Sequence, residues 1–120
     1  MDDKLDRIFA LQKAFQDDLA ARRGIEGAAM EQWIQRLSLA MISEISELID
    51  EVNFKWWKRA RDVDIGRVRD ELADILHFFV SMCLYAGMDA AELFDRYAAK
   101  NKINFDRQDG VAGDGAYGSD

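Results

Sequence analysis

The sequence contains no proline, and it has only one cysteine and one histidine among its 120 residues. The absence of proline favours long uninterrupted helices, because proline removes a backbone donor and breaks a helix from within. The single thiol, Cys83, excludes both an internal disulfide and a zinc site built from cysteines. Because its neighbours are apolar, we predict that Cys83 is a buried core residue.

Basic residues are in the minority. The chain has 16 Lys and Arg against 23 Asp and Glu, which gives a net charge of -7 and a pI near 4.7. An acidic surface repels nucleic acid polymers and anionic membranes, so we expect neither as a partner. A nucleotide remains compatible with this charge, because metal ions and a few local cations can offset it.

Long hydrophobic runs are also lacking. The longest, from Ile75 to Ala86, is interrupted by His77 and Ser81 and is too short to span a bilayer. The opening segment, MDDKLDRIF, is acidic and amphipathic, unlike a signal peptide. We therefore expect a cytoplasmic protein.

Apolar residues make up 49 % of the chain and recur at helical spacing in four segments. We predict helices at about residues 3–22, 28–53, 65–86 and 89–104. Gly24 and Gly87 are expected to end the first and third helices, and Asp89 to cap the fourth. The predicted fold is all-α, an antiparallel four-helix bundle-like subunit, with one domain over residues 1–105 and a flexible glycine-rich tail over 106–120.

The third predicted helix is apolar almost all the way round between Ile75 and Tyr85. Such a helix must be covered on more than one side. A second copy of the chain would supply that cover, so we expect a homo-oligomer, most simply a homodimer, with a tetramer as the larger alternative. The competing interpretation is a compact monomer in which this helix is central.

Two pairs of acids interrupt the apolar stripes of the second and third helices. At 100° per residue, Glu44 and Glu47 continue one apolar face, and Glu71 and Asp74 continue the other. Antiparallel helices with a short connection would bring both pairs to the same level. Because buried carboxylates are costly without a cation among them, we predict a Mg2+ site, with Mn2+ as a substitute. The alternative is that these acids lie on solvated helix surfaces.

Two other interpretations of the acidic residues compete with a Mg2+ site. A di-iron carboxylate bundle uses Glu-x-x-His pairs, and Asp74 and His77 have that spacing. A partner chain would have to supply the second histidine, so a hydrogen-bonded surface or interface histidine is preferred for His77. The protein could also be a non-catalytic helical module whose acidic face binds a basic partner.

Two further segments carry cations suited to phosphate. The first follows the second helix and runs from Phe54 to Arg59. The second lies on the fourth helix and just beyond it, from Lys100 to Gln108. Each also has an ordinary explanation, since tryptophans often pack at helix ends and cations are favoured near helix C-termini.

Four segments occur in the same order as in a known family: Glu44 to Glu47, Phe54 to Lys58, Glu71 to Phe78, and Lys100 to Gln108. Together they resemble the dimeric all-α dUTPase family, within the MazG-like nucleotide pyrophosphohydrolases. The resemblance implies cleavage between the α- and β-phosphates of a nucleoside triphosphate, with dUTP giving dUMP and pyrophosphate. A related enzyme acting on dCTP or on modified nucleotides is the alternative.

The resemblance also implies roles for individual residues. Mg2+ would be bound at Glu44, Glu47, Glu71 and Asp74, and we expect Glu47 or Glu44 to orient or deprotonate the attacking water. The positions matching the family's nucleotide-binding segments are a glutamine of the first helix, the loop that helps to close the site, and the end of the fourth helix. These residues are Gln12, Lys55, Trp57, Lys58, Lys100, Asn101, Asn104 and Arg107.

Overall fold

The computed structural model describes residues 3–24 and 27–110. It contains four helices, and no strand occurs within those ranges. The helices are α1 (Lys4–Arg23), α2 (Met30–Glu51), α3 (Ile65–Tyr85) and α4 (Ala90–Gln108). The predicted all-α class and the order of the helices are therefore confirmed.

Three of the helices begin at an aspartate. Asp3, Asp64 and Asp89 each accept a hydrogen bond from the backbone N–H three residues further on, at 2.8, 3.2 and 2.8 Å. Each side chain satisfies an amide that the first turn leaves unpaired, which typically stabilises a helix by about 1 kcal/mol. The Asp89 cap confirms the predicted start of α4.

The helix ends follow the predicted glycines in two cases and differ in a third. Gly24 and Gly87 have φ values of 62° and 77°, a left-handed conformation that glycine adopts without strain. By contrast, α4 continues to Gln108, four residues beyond its predicted end, so 106–108 is helical rather than part of a loose tail. An ion pair of 3.3 Å joins Lys102 to Asp106 across one turn. Residues 111–120 of the predicted tail lie outside the described residues.

The chain divides into two compact units, one holding α1 to α3 and the other holding α4. In the first unit, α3 packs against both α1 and α2. Phe9, Val80 and Cys83 are buried there, which confirms Cys83 as a core thiol. The division of the chain into a domain over 1–105 and a tail stays a prediction.

Side-chain contacts fix α2 and α3 as antiparallel neighbours. Trp33, near the start of α2, stacks on Tyr85 at the end of α3 with a centroid separation of 4.8 Å. At the opposite end, the Arg67 Nε atom lies 3.9 Å from a carboxylate oxygen of Glu51. The predicted antiparallel arrangement of these two helices is therefore correct, and it determines which acids meet.

The first unit does not cover its apolar residues completely. Leu72, Leu76 and Phe79 on α3 are 52 %, 40 % and 37 % exposed, and Leu11 and Phe15 on α1 are more exposed still. These side chains leave an apolar surface on the outside of the α1–α3 pair.

Among the described residues, no single helix is long and apolar enough to cross a membrane. α3 and α4 meet that requirement only when they are counted together, and then only by length and composition.

Candidate active site

Three of the four predicted metal ligands meet between α2 and α3. Glu44 and Glu47 from α2 and Glu71 from α3 each offer a carboxylate oxygen, and these oxygens lie within 4.8 Å of one another. The spacing of three residues puts the first two side chains on one face of α2, and the antiparallel packing of α3 brings the third opposite them. We call these three residues the acidic cluster.

Asp74, the fourth predicted ligand, is not part of the acidic cluster. It lies beside the cluster and lines the same cavity as Glu44. It is exposed, as is Glu47, whereas Glu44 and Glu71 are half-buried. Three of the four acids thus converge between the helices, and the role of all four as metal ligands stays a prediction. The difference in exposure follows from helical geometry, because a residue three positions further on is rotated by about 60° around the helix.

Two oxygens of the acidic cluster are sealed from solvent. Glu44 Oε2 and Glu71 Oε2 are inaccessible and have no hydrogen-bond partner among the described residues. An unpaired buried polar atom is costly, and two buried carboxylate oxygens are more so. The protein atoms alone therefore leave this site unsatisfied, and either a proton or a cation is needed between the two side chains.

The acidic surroundings raise the pKa of Glu44 to about 7 from an ordinary value of 4.5. The largest cause is the Glu71 carboxylate, to which a protonated Glu44 carboxyl can donate a hydrogen bond; burial and the charges of Glu47, Glu71 and Asp74 add to it. A set of closely spaced carboxylate oxygens with this deficit of positive charge fits a hard divalent cation, which prefers oxygen ligands.

A cavity of about 390 Å³ adjoins the acidic cluster, between α1, α2 and α3. Glu44 and Asp74 form part of its wall, and the stacked rings of Trp33 and Tyr85 form another part. Its volume falls within the usual range for a small-molecule site, roughly 300 to 1,000 Å³. The cavity is large enough to take an aromatic ring next to the acids.

Two buried polar side chains supply hydrogen bonds within this cavity. The Gln12 Nε2 atom donates to Ser81 Oγ at 3.0 Å, and Ser81 Oγ donates to Gln16 Oε1 at 2.8 Å. All three residues line the cavity. The sequence predicted Gln12 but missed Gln16 and Ser81. The available signal was a pair of glutamines one turn apart on the apolar stripe of α1.

His77 is exposed at the edge of the cavity and is not part of the acidic cluster. Its Nδ1 atom lies 2.8 Å from the backbone oxygen of Ala73. Because a carbonyl oxygen only accepts, Nδ1 carries a hydrogen and donates it to this oxygen. This confirms the preferred interpretation of a hydrogen-bonded surface histidine.

The connection between α2 and α3 is held by Asn53, whose backbone has a φ of 58°. Its side chain donates to the backbone oxygen of Arg61 at 2.8 Å and accepts from the Arg61 backbone N–H at 2.9 Å. Lys55 and Lys58, both predicted, line a second cavity of about 280 Å³ in this loop, together with Arg59 and Arg61. The hydrogen bonds between Asn53 and Arg61 close this loop, and several cations lie together within it. We call it the cationic loop.

Trp57, the remaining predicted loop residue, does not line that cavity. It is 60 % exposed and makes edge-on ring contacts with Phe54 and Trp56, at centroid separations of 6.3 and 5.6 Å. These contacts account for Trp57 as a packing residue of the loop, and its predicted contact with substrate stays a prediction.

The predicted α4 residues belong to the second unit. Lys100, Asn104 and Arg107 lie at helical spacing on one face of α4, and Asn101 lies next to that face. Arg107 is half-buried, and its Nε atom is sealed from solvent without a hydrogen-bond partner among the described residues. Their contact with a nucleotide stays a prediction.

Comparison with known proteins decides the family. A family model described as dUTPase matches residues 4–93. The chain belongs to the dUTPase family. The matched residues include Gln12, the acidic cluster, Asp74 and the cationic loop, whereas the predicted α4 residues, from Lys100 onwards, lie beyond it.

Curated phage proteins are also similar to this member of the dUTPase family. A dCTP pyrophosphatase of Enterobacteria phage T4 is 35 % identical over 82 residues, which cover 68 % of this chain and 41 % of that protein. A dCTP pyrophosphatase of Enterobacteria phage LZ5 is 33 % identical over 82 residues, with the same coverage of 68 % and 41 %. The chain thus spans less than half the length of these curated relatives. No solved structure gives a significant match.

Proposed function

We propose that the protein is a metal-dependent nucleotide pyrophosphohydrolase that cleaves a pyrimidine deoxynucleoside triphosphate between its α- and β-phosphates. With dUTP the products would be dUMP and pyrophosphate. The observation that carries the proposal is a pair of sealed oxygens, on Glu44 and Glu71, that have no hydrogen-bond partner in the described part of the chain. They lie next to a cavity of about 390 Å³, in a chain of the dUTPase family.

The cavity is suited to the base. Aromatic and aliphatic residues, including Phe15, Trp33 and Phe78, form half of its lining, and the other half is polar. Such a wall favours a flat ring by stacking and burial, while a few amides give it a fixed orientation. Gln12 and Gln16 would contact the base edge.

The triphosphate would lie against the acidic cluster. Glu44, Glu47 and Glu71 would hold Mg2+, or Mn2+ as a substitute, with Asp74 as a further ligand. A cation held there would supply neutralisation of the phosphate charge and activation of a water molecule.

The remaining steps belong to the side chains of this protein. Glu47 is exposed, so its carboxylate can orient a water and take its proton during in-line attack at the α–β linkage; Glu44 is the alternative base. Lys55 and Lys58 would neutralise the departing pyrophosphate, and Trp57 would help to close the loop over it. Lys100, Asn101, Asn104 and Arg107 would contact the nucleotide.

A second substrate is favoured by the two phage relatives, both of which are dCTP pyrophosphatases. A panel of dUTP, dCTP, other deoxynucleoside triphosphates and modified nucleotides, assayed with Mg2+, tests both candidates. We expect a pyrimidine nucleotide to give equal amounts of monophosphate and pyrophosphate. Release of orthophosphate alone would contradict cleavage at this linkage, and no turnover of any nucleotide would favour a binding module.

The protein would act as a homodimer. The support for a dimer is the apolar surface of α1 and α3, where Leu11, Phe15 and Leu76 are exposed and line a groove of about 330 Å³. An apolar surface of this kind is commonly covered by another subunit. Light scattering would distinguish a dimer from a monomer or a tetramer. A cytoplasmic location, and the absence of nucleic acid and membrane partners, stay predictions.

A further inference from the structure

We propose that the end of the cavity farthest from the acidic cluster admits an apolar substituent on the exocyclic N4 amine of cytosine, so that the substrates include N4-substituted deoxycytidine triphosphates. The inference rests on the proposed function, which assigns the cavity to the base and the acidic cluster to the phosphates. It concerns the part of the cavity that an unsubstituted pyrimidine leaves empty.

The cavity is long in the direction of the helices. On α2, Glu44 and Trp33 line it and are eleven residues apart; on α3, Asp74 and Tyr85 line it and are also eleven residues apart. At a rise of about 1.5 Å per residue, each separation corresponds to about 16 Å. The stacking of Trp33 on Tyr85 shows that both measures end at the same place. We call the part of the cavity lined by Leu19, Trp33 and Tyr85 the far end.

The amides proposed to contact the base lie well before the far end. Gln12 and Gln16 both hydrogen bond with Ser81 Oγ, at 3.0 and 2.8 Å, so the base edge would lie at the level of Ser81. Ser81 is seven residues after Asp74, or about 10 Å along α3, and Tyr85 is four residues further on. A base held by these amides therefore leaves about 6 Å of the cavity beyond it.

The walls of the far end are held in place by their own contacts. The Trp33 ring stacks on Tyr85 at a centroid separation of 4.8 Å, and the Arg36 guanidinium lies 5.2 Å from the centroid of the Trp33 ring. Both kinds of contact favour a fixed position of the ring. Leu19, Trp33 and Tyr85 are all half-buried, so the far end keeps apolar surface that a ligand can cover.

The orientation of the nucleotide identifies which ring position faces the far end. With the phosphates at the acidic cluster, the sugar lies between the acids and the base. The sugar is attached to N1 of a pyrimidine, and C4 is the ring atom opposite N1, so a group on C4 points away from the acids. In cytosine this group is the N4 amine. An apolar substituent on N4 would therefore reach Leu19, Trp33 and Tyr85, where burial of its surface favours binding.

Calorimetric binding to the full chain tests this assignment, with dCMP and N4-benzyl-dCMP as ligands in the presence of Mg2+. We expect the wild type to bind N4-benzyl-dCMP about tenfold more tightly, because the benzyl ring covers half-buried apolar surface at the far end. If N4-benzyl-dCMP binds no more tightly than dCMP, the inference is wrong. Tighter binding of dAMP than of N4-benzyl-dCMP would also overturn it, since the far end would then belong to a purine.

Leu19→Trp tests where the substituent lies, because the larger side chain would fill the far end. It should leave the affinity for dCMP within about twofold of the wild-type value and remove the advantage of N4-benzyl-dCMP. An advantage that persists in a folded Leu19→Trp would place the benzyl group elsewhere and overturn the inference. If Leu19→Trp does not fold, the smaller Leu19→Phe takes its place under the same criterion.

Leu39→Trp is the matched control. It makes the same substitution at a residue of α2 that is 62 % exposed and does not line the cavity. It should keep the tighter binding of N4-benzyl-dCMP. Loss of that advantage in both tryptophan variants would mean that the far end is not its cause.

Turnover separates this inference from the proposed function. If dCTP or dUTP is cleaved to monophosphate and pyrophosphate but N4-benzyl-dCMP has no advantage, the proposed function stands and the inference fails. If N4-benzyl-dCMP is preferred but no triphosphate is cleaved with Mg2+, the proposed hydrolysis fails and the far end keeps its role. A wild type that binds no nucleotide would refute both. Release of N4-benzyl-dCMP and pyrophosphate in equal amounts from N4-benzyl-dCTP would support both.

Discussion

Glu44 and Glu71 each direct one carboxylate oxygen into the space between α2 and α3, where no hydrogen-bond partner among the described residues meets it. This arrangement is stable only when something positive lies between the two oxygens. In the metal-free protein a proton can do so, consistent with the raised pKa of Glu44. With a divalent cation present, both carboxylates can be ionised.

Glu71→Gln tests the catalytic importance of this pair. Because the substitution removes a charged ligand but keeps the size of the side chain, we expect turnover to fall by about a hundredfold or more while the fold is retained. The introduced amide can donate to Glu44, so stability without metal should not decrease. Steady-state kinetics and thermal unfolding measure the two effects.

Asp70→Asn is the control for that variant, since Asp70 is the neighbouring acid on α3 and is exposed outside the acidic cluster. It should keep near-normal turnover. Equal losses in the two variants would mean that general charge, rather than the acidic cluster, governs activity.

The stability of the metal-free protein should depend on pH through Glu44. Its pKa is raised in the folded protein from 4.5 to about 7, so between these values the folded state holds a proton that the unfolded state has released. The stabilisation is therefore complete below pH 4.5 and is lost as the pH rises through about 7. In the presence of a chelator, the Tm of the wild type should fall relative to that of Glu44→Gln as the pH rises from 4.5 to about 7. A constant difference would contradict the assignment.

Asn53 should hold the cationic loop closed. Asn53→Ala loses both hydrogen bonds to Arg61 and also places an alanine at a φ of 58°. Asn53→Gly loses the same hydrogen bonds but tolerates that φ. Chemical denaturation should show both variants to be destabilised, the alanine variant by about 1 kcal/mol more. Equal stability of the two would mean that the backbone relaxes out of this conformation.

The same pair of variants also tests the function proposed for the loop. If Lys55 and Lys58 neutralise the departing pyrophosphate, loosening the loop should lower kcat more than it raises KM for the triphosphate. A rise in KM with unchanged kcat would mean that the loop only holds the substrate before the reaction.

The parts of the fold that depend on local chemistry could be predicted from the sequence. Asp89 caps α4 because a short carboxylate reaches its own first turn, and Gly87 ends α3 because its φ is positive. The meeting of Glu44 with Glu71 was also predictable, since it follows from helical period and an antiparallel connection. The end of α4 was predicted four residues too early, although no residue in 105–108 disfavours a helix.

The features that depend on packing could not be predicted in this way. Ser81 meets Gln12 and Gln16 only because α3 lies against α1 at a particular rotation, over sequence separations of 69 and 65 residues. Periodicity assigns all three residues to apolar stripes but does not say which side chains touch. The two hydrogen bonds between Asn53 and Arg61 likewise require a left-handed backbone at Asn53, which the sequence did not predict.

Binding of Mn2+ to the full chain, followed by the paramagnetic resonance signal of the free ion, tests the central claim most directly. We predict that the wild type removes Mn2+ from solution at neutral pH, that Mg2+ competes for the same site, and that Glu71→Gln binds far more weakly while Asp70→Asn binds normally. Equal binding by Glu71→Gln and the wild type, or no binding by either, would contradict a metal site at Glu44, Glu47 and Glu71.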